Sequence, residues 1–156
     1  MLTEIPFGTK GLLFRCPMPF GEYDLDGSVL EDMKSNLVTT VVVLAEYNEI
    51  RQKTGIDLFK LYGEHGISVI HLPIKDFGIP ERDEFNSVIK IVIDRMRTGE
   101  NIAAHCSAGI GRTGLFLVEL AKKVKGMSGQ EALDWVRMYV PCAVESPDQT
   151  DFVLRD

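Results

Sequence analysis

Residues 101–125 read as a strand that runs, with no linker, through a glycine-rich turn into a helix. Asn101, Ile102, Ala103, Ala104, His105 and Cys106 form a short, mostly apolar stretch, bounded by Gly99-Glu100 before it and by glycines after it. From Arg112 onward, Leu115, Phe116, Val118, Glu119 and Leu120 read as a buried or half-buried helix over 112–125, stopped by Gly126. The segment between, His105-Cys106-Ser107-Ala108-Gly109-Ile110-Gly111-Arg112-Thr113-Gly114, therefore opens at a helix N-terminus. There, unpaired N–H groups and the positive end of the macrodipole face the same point. Gly109, Gly111 and Gly114 allow backbone conformations closed to other residues, so successive amides can turn inward as a nest around a dianion. Phosphate is the natural guest, and a cysteine sits at the centre of the loop.

The rest of the chain alternates in the same way. Gly11–Cys16 reads as a first strand, followed by a turn with Pro17 and Pro19, and 27–36 as a short helix. Residues 37–44 (Leu-Val-Thr-Thr-Val-Val-Val-Leu) are β-branched, uncharged and apolar on both faces except at Thr39 and Thr40, which suits a central parallel strand covered on both sides. A helix over 56–64 precedes a strand at 67–72, and Phe85, Val88, Ile89, Val92 and Met96 make a core-facing stripe on a helix over 81–98. Helices at 112–125, 130–139 and 147–154 complete the chain. This pattern predicts an α/β fold over 1–156: one domain, a central, mostly parallel sheet with helices on both faces, and the phosphate-binding loop between a strand and a helix N-terminus. Ligands in such sheets bind beyond the carboxyl ends of the strands, where Cys106 and Asp76 both fall.

The wording His-Cys, five residues, then Arg-Thr, with Ser-Ala-Gly-Ile-Gly inside, resembles the signature of the cysteine-dependent protein phosphatases, and of their tyrosine-specific members in particular. A bare Cys-x5-Arg would arise by accident in about one such chain in seven; the added His, glycines and Thr make accident negligible. The short length and the lack of Trp-Pro before Asp76 look more like the compact dual-specificity phosphatases, including bacterial and archaeal ones. The resemblance implies Cys106 as a nucleophile, ionised by its helix terminus, that forms a phosphocysteine. It implies Arg112 as a planar fork for phosphoryl oxygens, with Ser107, Ala108, Gly109, Ile110 and Gly111 as the rest of the substrate-binding loop. Thr113 would donate its hydroxyl to the sulfur. His105 is open to two readings, an orienting hydrogen-bonder below the loop or a structural core residue.

Asp76, in Asp-Phe-Gly-Ile-Pro some thirty residues before the cysteine, matches the general-acid loop of these phosphatases. On composition alone, an Asp in a Gly/Pro turn is turn chemistry. Gln149 in Glu145-Ser146-Pro147-Asp148-Gln149 partly matches the loop that orients water in relatives. Equally, Ser146 as N-cap and Pro147 at the first helical position explain the same residues as helix initiation. Glu46 and Tyr47, after the 37–44 strand, either edge the pocket or are solvated loop residues.

Composition narrows the partners. A net charge of −6 argues against general affinity for nucleic acid or anionic membrane, so the phosphate site must be a local positive spot on an acidic surface. Three cysteines without paired spacing suit a reducing compartment, hence a cytoplasmic protein, and form no zinc cluster. Cys16 and Cys142 are either buried bystanders or redox partners of Cys106. Met-Leu-Thr-Glu opens with an acid rather than a basic signal region, and no apolar stretch has spanning length. The expectation is a monomeric, cofactor-free and metal-free phosphomonoester hydrolase whose partner is a phosphorylated protein or peptide. Phosphotyrosine leads, with phosphoserine and phosphothreonine open. The alternatives are a phosphatase of lipid, nucleotide or RNA esters, a phosphate-binding module without turnover, or rhodanese-like sulfur transfer.

Overall fold

The computed structural model describes residues 1–155. Five strands form one sheet: β1 (Thr3–Ile5), β2 (Leu13–Arg15), β3 (Val38–Val43), β4 (Ser68–His71) and β5 (Asn101–His105), in the spatial order β1-β2-β5-β3-β4. Among the described residues only β1 runs antiparallel to its neighbour. Seven helices are interleaved among the described residues: α1 (Ser28–Ser35), α2 (Tyr47–Thr54), α3 (Leu58–Glu64), α4 (Arg82–Arg97), α5 (Gly111–Lys125), α6 (Gly129–Arg137) and α7 (Pro147–Leu154). The expected mostly parallel α/β sheet with helices on both faces is thus present.

The period-two geometry of the strands sorts the core into two layers. Val42, Leu44, Ile102, Ala104 and Leu13 face α4, α5, α6 and α7, where Phe85, Phe116, Leu133 and Phe152 are buried. Val41, Val43, Ala103 and Phe14 face α1, α2 and α3, against Leu30, Met33, Ile50 and Tyr62. β3 and β5, both covered on two sides, are the centre of the sheet, and β5 delivers Cys106 to its carboxyl edge.

Two elements escape sequence patterning. β1 has three residues and exists by pairing Thr3, Glu4 and Ile5 with Arg15, Phe14 and Leu13; a run that short carries no period of its own. α2 buries only Ile50 and is otherwise polar, so it lacks an apolar stripe. It ends at Gly55, whose φ of 71° is a left-handed cap. No helix among the described residues is long and apolar enough to cross a membrane.

Phe85, fully buried, meets Phe116 and Phe152 edge-on, with ring centroids 6.2 and 5.6 Å away, and so ties α4 to α5 and α7. Phe85→Ala is expected to destabilise the protein by about 3–5 kcal/mol, read as a drop in the urea midpoint. A shift worth under ~1 kcal/mol would mean that this cluster does not hold the helical layer together.

Candidate active site

Behind Cys106 the chain turns its carbonyls in one direction. The Cys106 carbonyl is bonded to His105 Nδ1 at 3.0 Å, and that of Ser107 accepts from Met18 N–H at 2.8 Å. The carbonyls of Ala108 and Gly109 accept from Nη2 and Nε of Arg15, at 2.9 and 3.0 Å. Ile110 O takes the N–H groups of Gly114 and Val144. The N–H groups of residues 107–110 find no backbone acceptor among the described residues. A peptide unit is planar, with N–H and C=O pointing oppositely. Carbonyls satisfied behind the loop therefore leave amide hydrogens in front, as an anion nest requires.

Cys106 is 3 % exposed, and its sulfur accepts a hydrogen bond from Thr113 Oγ1 at 3.1 Å. Arg112, in the first turn of α5, is 2 % exposed. Its Nη1 and Nη2 make paired 2.8 Å bonds to Glu49 of α2; Nη1 also donates to Ile74 O, and Nη2 lies 3.2 Å from Asp76 Oδ1. Its Nε is buried and has no hydrogen-bond partner among the described residues. Burial opposes the charge on Arg112, but Glu49, Cys106 and Asp76 outweigh it and raise its affinity for the proton. Burial likewise pushes the Glu49 carboxyl up; Arg112 and then Lys53 more than reverse this, holding it below the usual range. Lys53, one turn on, bonds Ser107 Oγ at 2.7 Å and pairs with Glu22 and Glu49 at 3.3 Å each.

Asp76 and Glu145 reach the pocket from two loops that are bonded to each other. Ser146 Oγ donates to Phe77 O at 2.7 Å, and Gln149 Nε2 donates to Gly78 O at 3.1 Å. Gln149 Oε1 accepts from the N–H groups of Glu145 and Ser146, and Ser146 caps α7 in a reciprocal capping box. Gln149 is fully buried with both ends of its amide engaged, and it does not line the pocket. The Glu145 carboxylate does: an added Cβ on Gly111 would lie 2.9 Å from its Oε2. Each acid is next to a left-handed residue, Phe77 (φ 61°) after Asp76 and Val144 (φ 67°) before Glu145. Such a backbone is costly for bulky side chains and recurs where function fixes geometry.

The resulting cavity, of about 120 Å³, is lined by Tyr23, Lys53, Asp76, Phe77, Cys106, Ser107, Ala108, Gly111, Arg112 and Glu145. Cys106, Arg112, Asp76, Ser107, Ala108 and Gly111 are thus brought together, with Thr113 bonded to the sulfur; Gly109 and Ile110 belong to the loop but do not line the cavity. Glu46 and Tyr47 lie elsewhere: Glu46 is the N-cap of α2, and Tyr47 packs edge-on against Phe59. Cys16 is wholly buried, with burial pushing its thiol up to about 12, which suits a bystander; Cys142 is exposed. Among the described residues no group of three or more metal-ligating side chains occurs. Sequence reasoning missed Glu49, Lys53, Arg15, Tyr23 and Glu145. Only Glu49 and Lys53 carried a signal, their i,i+4 spacing of opposite charges.

The family model described as "Polymorphic toxin system, DSP-PTPase phosphatase" matches residues 27–122. Among curated proteins, an uncharacterized protein of Methanocaldococcus jannaschii is 32 % identical over 90 residues, covering 56 % of this chain and 58 % of that protein. Cyclin-dependent kinase inhibitor 3 of Mus musculus is 27 % identical over 107 residues, covering 69 % of this chain and 51 % of the relative. The chain thus spans little more than half the length of these two. Among solved structures, a mutant form of Tk-PTP is 30 % identical with a TM-score of 0.75, covering 90 % of this chain and 86 % of that one. Kinase associated phosphatase, at 19 % identity, shares the fold with a TM-score of 0.88 over 98 % of this chain and 91 % of its own.

His105 is fully buried between Tyr62 Oη, 2.8 Å from Nε2, and the Cys106 carbonyl. A carbonyl only accepts, so Nδ1 carries the proton and Nε2 accepts from Tyr62. Burial lowers its titration to about 4, despite the opposing bond to Cys106, with Arg112 lowering it further. Unfolded, it would titrate near ~6.5, so below that pH the unfolded chain binds a proton the native state refuses. This contribution is complete above pH ~6.5 and is lost as pH falls toward 4, up to about 3 kcal/mol. Urea midpoints at pH 7 and 4.5 should fall further for the wild type than for His105→Gln; equal falls would mean that His105 does not link stability to pH.

Proposed function

Because the chain belongs to the DSP-PTPase phosphatase family of polymorphic toxin systems, we propose that it hydrolyses phosphomonoesters on proteins, phosphotyrosine foremost, through a phosphocysteine on Cys106. The observation that carries this reading is the loop itself: a sulfur in front of a row of inward amides, next to a guanidinium whose buried Nε lacks a partner. A phosphoryl oxygen would satisfy that donor and the amides together.

In the first step the Cys106 thiolate attacks phosphorus opposite the ester oxygen. The S–P bond forms, the ester P–O bond breaks, and protonated Asp76 gives its proton to the departing oxygen. Arg112 and the loop amides hold the charge that spreads over the three phosphoryl oxygens. In the second step a water attacks phosphorus, its proton passes to a carboxylate, and the P–S bond breaks to release inorganic phosphate. Thr113 stabilises the returning thiolate through the bond already present at 3.1 Å. Two carboxylates border the pocket, and Glu145, whose carboxylate lies over Gly111, offers a second acceptor beside Asp76 for the proton of that water. Gln149 is assigned a positioning part, tying the Asp76 loop to the Glu145 loop. Tyr23 and Phe77 wall the cavity with exposed rings, 64 % and 57 % accessible, which suits an aromatic leaving group more than an alkyl one.

Phosphate release from matched phosphotyrosine and phosphothreonine peptides, without added metal, tests the reading. Phosphotyrosine should be turned over faster, and Cys106→Ser should abolish turnover of both. Release by Cys106→Ser at the wild-type rate would remove the phosphocysteine, and release from neither peptide by wild type would move the substrate to lipids or nucleotides.

Glu145→Ala should slow breakdown of the phosphocysteine by about tenfold or more, so that rapid quenching with a radiolabelled aryl phosphate traps more labelled enzyme. Unchanged labelling and turnover would leave Asp76 as the sole base.

A further inference from the structure

Arg15 stands outside the pocket and outside every role assigned above, yet it makes two of the bonds that shape the loop. It ends β2, level with Ala104 of β5, and its half-buried guanidinium reaches beneath the turn that follows Cys106. Nη2 takes the Ala108 carbonyl at 2.9 Å and Nε the Gly109 carbonyl at 3.0 Å. No other protein donor meets either carbonyl among the described residues.

We propose that Arg15 is a positioning residue for phosphate binding: its fork pins two successive carbonyls behind the loop and thereby aims the next two amide hydrogens at the phosphoryl site. The proposal rests on the reading of the pocket as a phosphate site. The geometry follows from peptide planarity. Fixing Ala108 O fixes the direction of the Gly109 N–H, and fixing Gly109 O fixes that of Ile110. Met18 N–H does the same for the Ala108 amide by holding Ser107 O, so residues 15–18 act as a backing strip for three consecutive peptide units.

The fit is close. Gly109 has φ 77°, and a Cβ there would lie 2.4 Å from Cys16 O and 2.8 Å from Arg15 Nη2. The loop can thus lie on Arg15 only because residue 109 has no side chain. A lysine could neutralise one carbonyl but cannot present two donors in a rigid plane. Arg15 also places a second positive charge near the cysteine, on the side away from solvent. Burial disfavours that charge, and proximity to Cys16 and Cys106 partly restores it.

The test uses wild type, Arg15→Met and Arg15→Lys, and reads binding rather than turnover: alkylation of Cys106 by iodoacetamide, followed against pH and against added inorganic phosphate. Arg15→Met should need about tenfold or more phosphate for half-protection, the loss expected when charge-assisted hydrogen bonds that organise a site are removed. Its alkylation midpoint should also move to higher pH. Arg15→Lys, which keeps the charge without the fork, should hold the midpoint near the wild-type pH while still losing phosphate protection.

Half-protection of Arg15→Met at the wild-type phosphate concentration would overturn the proposal. So would a variant that only melts earlier, with both alkylation profiles unchanged. If Arg15→Met does not fold, Arg15→Lys decides alone: wild-type protection there overturns the role of the fork. Failure of phosphate to protect wild type would overturn the reading of the pocket itself, which the other outcomes leave standing.

Discussion

A peptide unit cannot turn its N–H inward without turning its C=O outward, and the candidate site depends on that coupling. An inward row of amides is attractive to an anion but leaves an outward row of carbonyls at the buried edge of a sheet, where an unpaired acceptor costs about 1–3 kcal/mol. The chain meets each of them: His105 behind Cys106, Met18 behind Ser107, Arg15 behind Ala108 and Gly109, and the start of α5 with Val144 behind Ile110. These donors come from β2 and its following turn, from β5 and from the segment before α7. The sheet order, with β2 beside β5, is therefore what brings the backing under the loop.

The second constraint is the burial of Arg112. A guanidinium that is 2 % exposed needs counter-charge, and Glu49 supplies it in a paired, planar contact. Glu49 is held in turn by Lys53, which also reaches Ser107 in the loop and Glu22 outside it. The positive spot required on a chain of net charge −6 is thus built from three elements: Arg112 and Lys53, both paired with Glu49, and Arg15, whose charge is spent on the loop carbonyls. Glu49 takes the Nη atoms of Arg112 and leaves Nε open, so the fork is oriented rather than consumed.

The fold was legible where burial imposes a period. β3 and α4 reveal themselves because one is covered on both faces and the other carries a continuous apolar stripe. The decapeptide around Cys106 was legible because glycines, Cys and Arg are each demanded by a different physical requirement at a fixed spacing. β1 and α2 were not, since a three-residue edge strand and a helix burying one side chain are made by their neighbours. With α2 went Glu49 and Lys53. Arg15 was invisible for a different reason: its partners are carbonyls 93 and 94 residues away, and no local pattern marks a donor for a distant backbone. Glu145 was missed because the Ser-Pro-Asp-Gln run reads as helix initiation and marks neither Glu145 nor Asp148 as a pocket residue; in the structure Glu145, and not Gln149, lines the pocket.

That displacement alters how the two halves of the proposed reaction divide. A glutamine facing the pocket could only orient a water, whereas a carboxylate can also accept its proton. Asp76 must give a proton to the ester oxygen in the first half and regain one before the next cycle, with its Oδ1 3.2 Å from the Arg112 guanidinium. In the proposed cycle a second carboxylate in the lining, Glu145, would relieve Asp76 of carrying both duties. The two acids are not independent: Gln149 and Ser146 bond the loop of one to the loop of the other. Phe77 and Val144, in left-handed backbone, fix the turn at which each acid leaves its loop. Motion of the Asp76 loop would therefore be felt at Glu145 through two hydrogen bonds. The loop that lacks the Trp-Pro of the larger tyrosine-specific domains is tethered here from its neighbour.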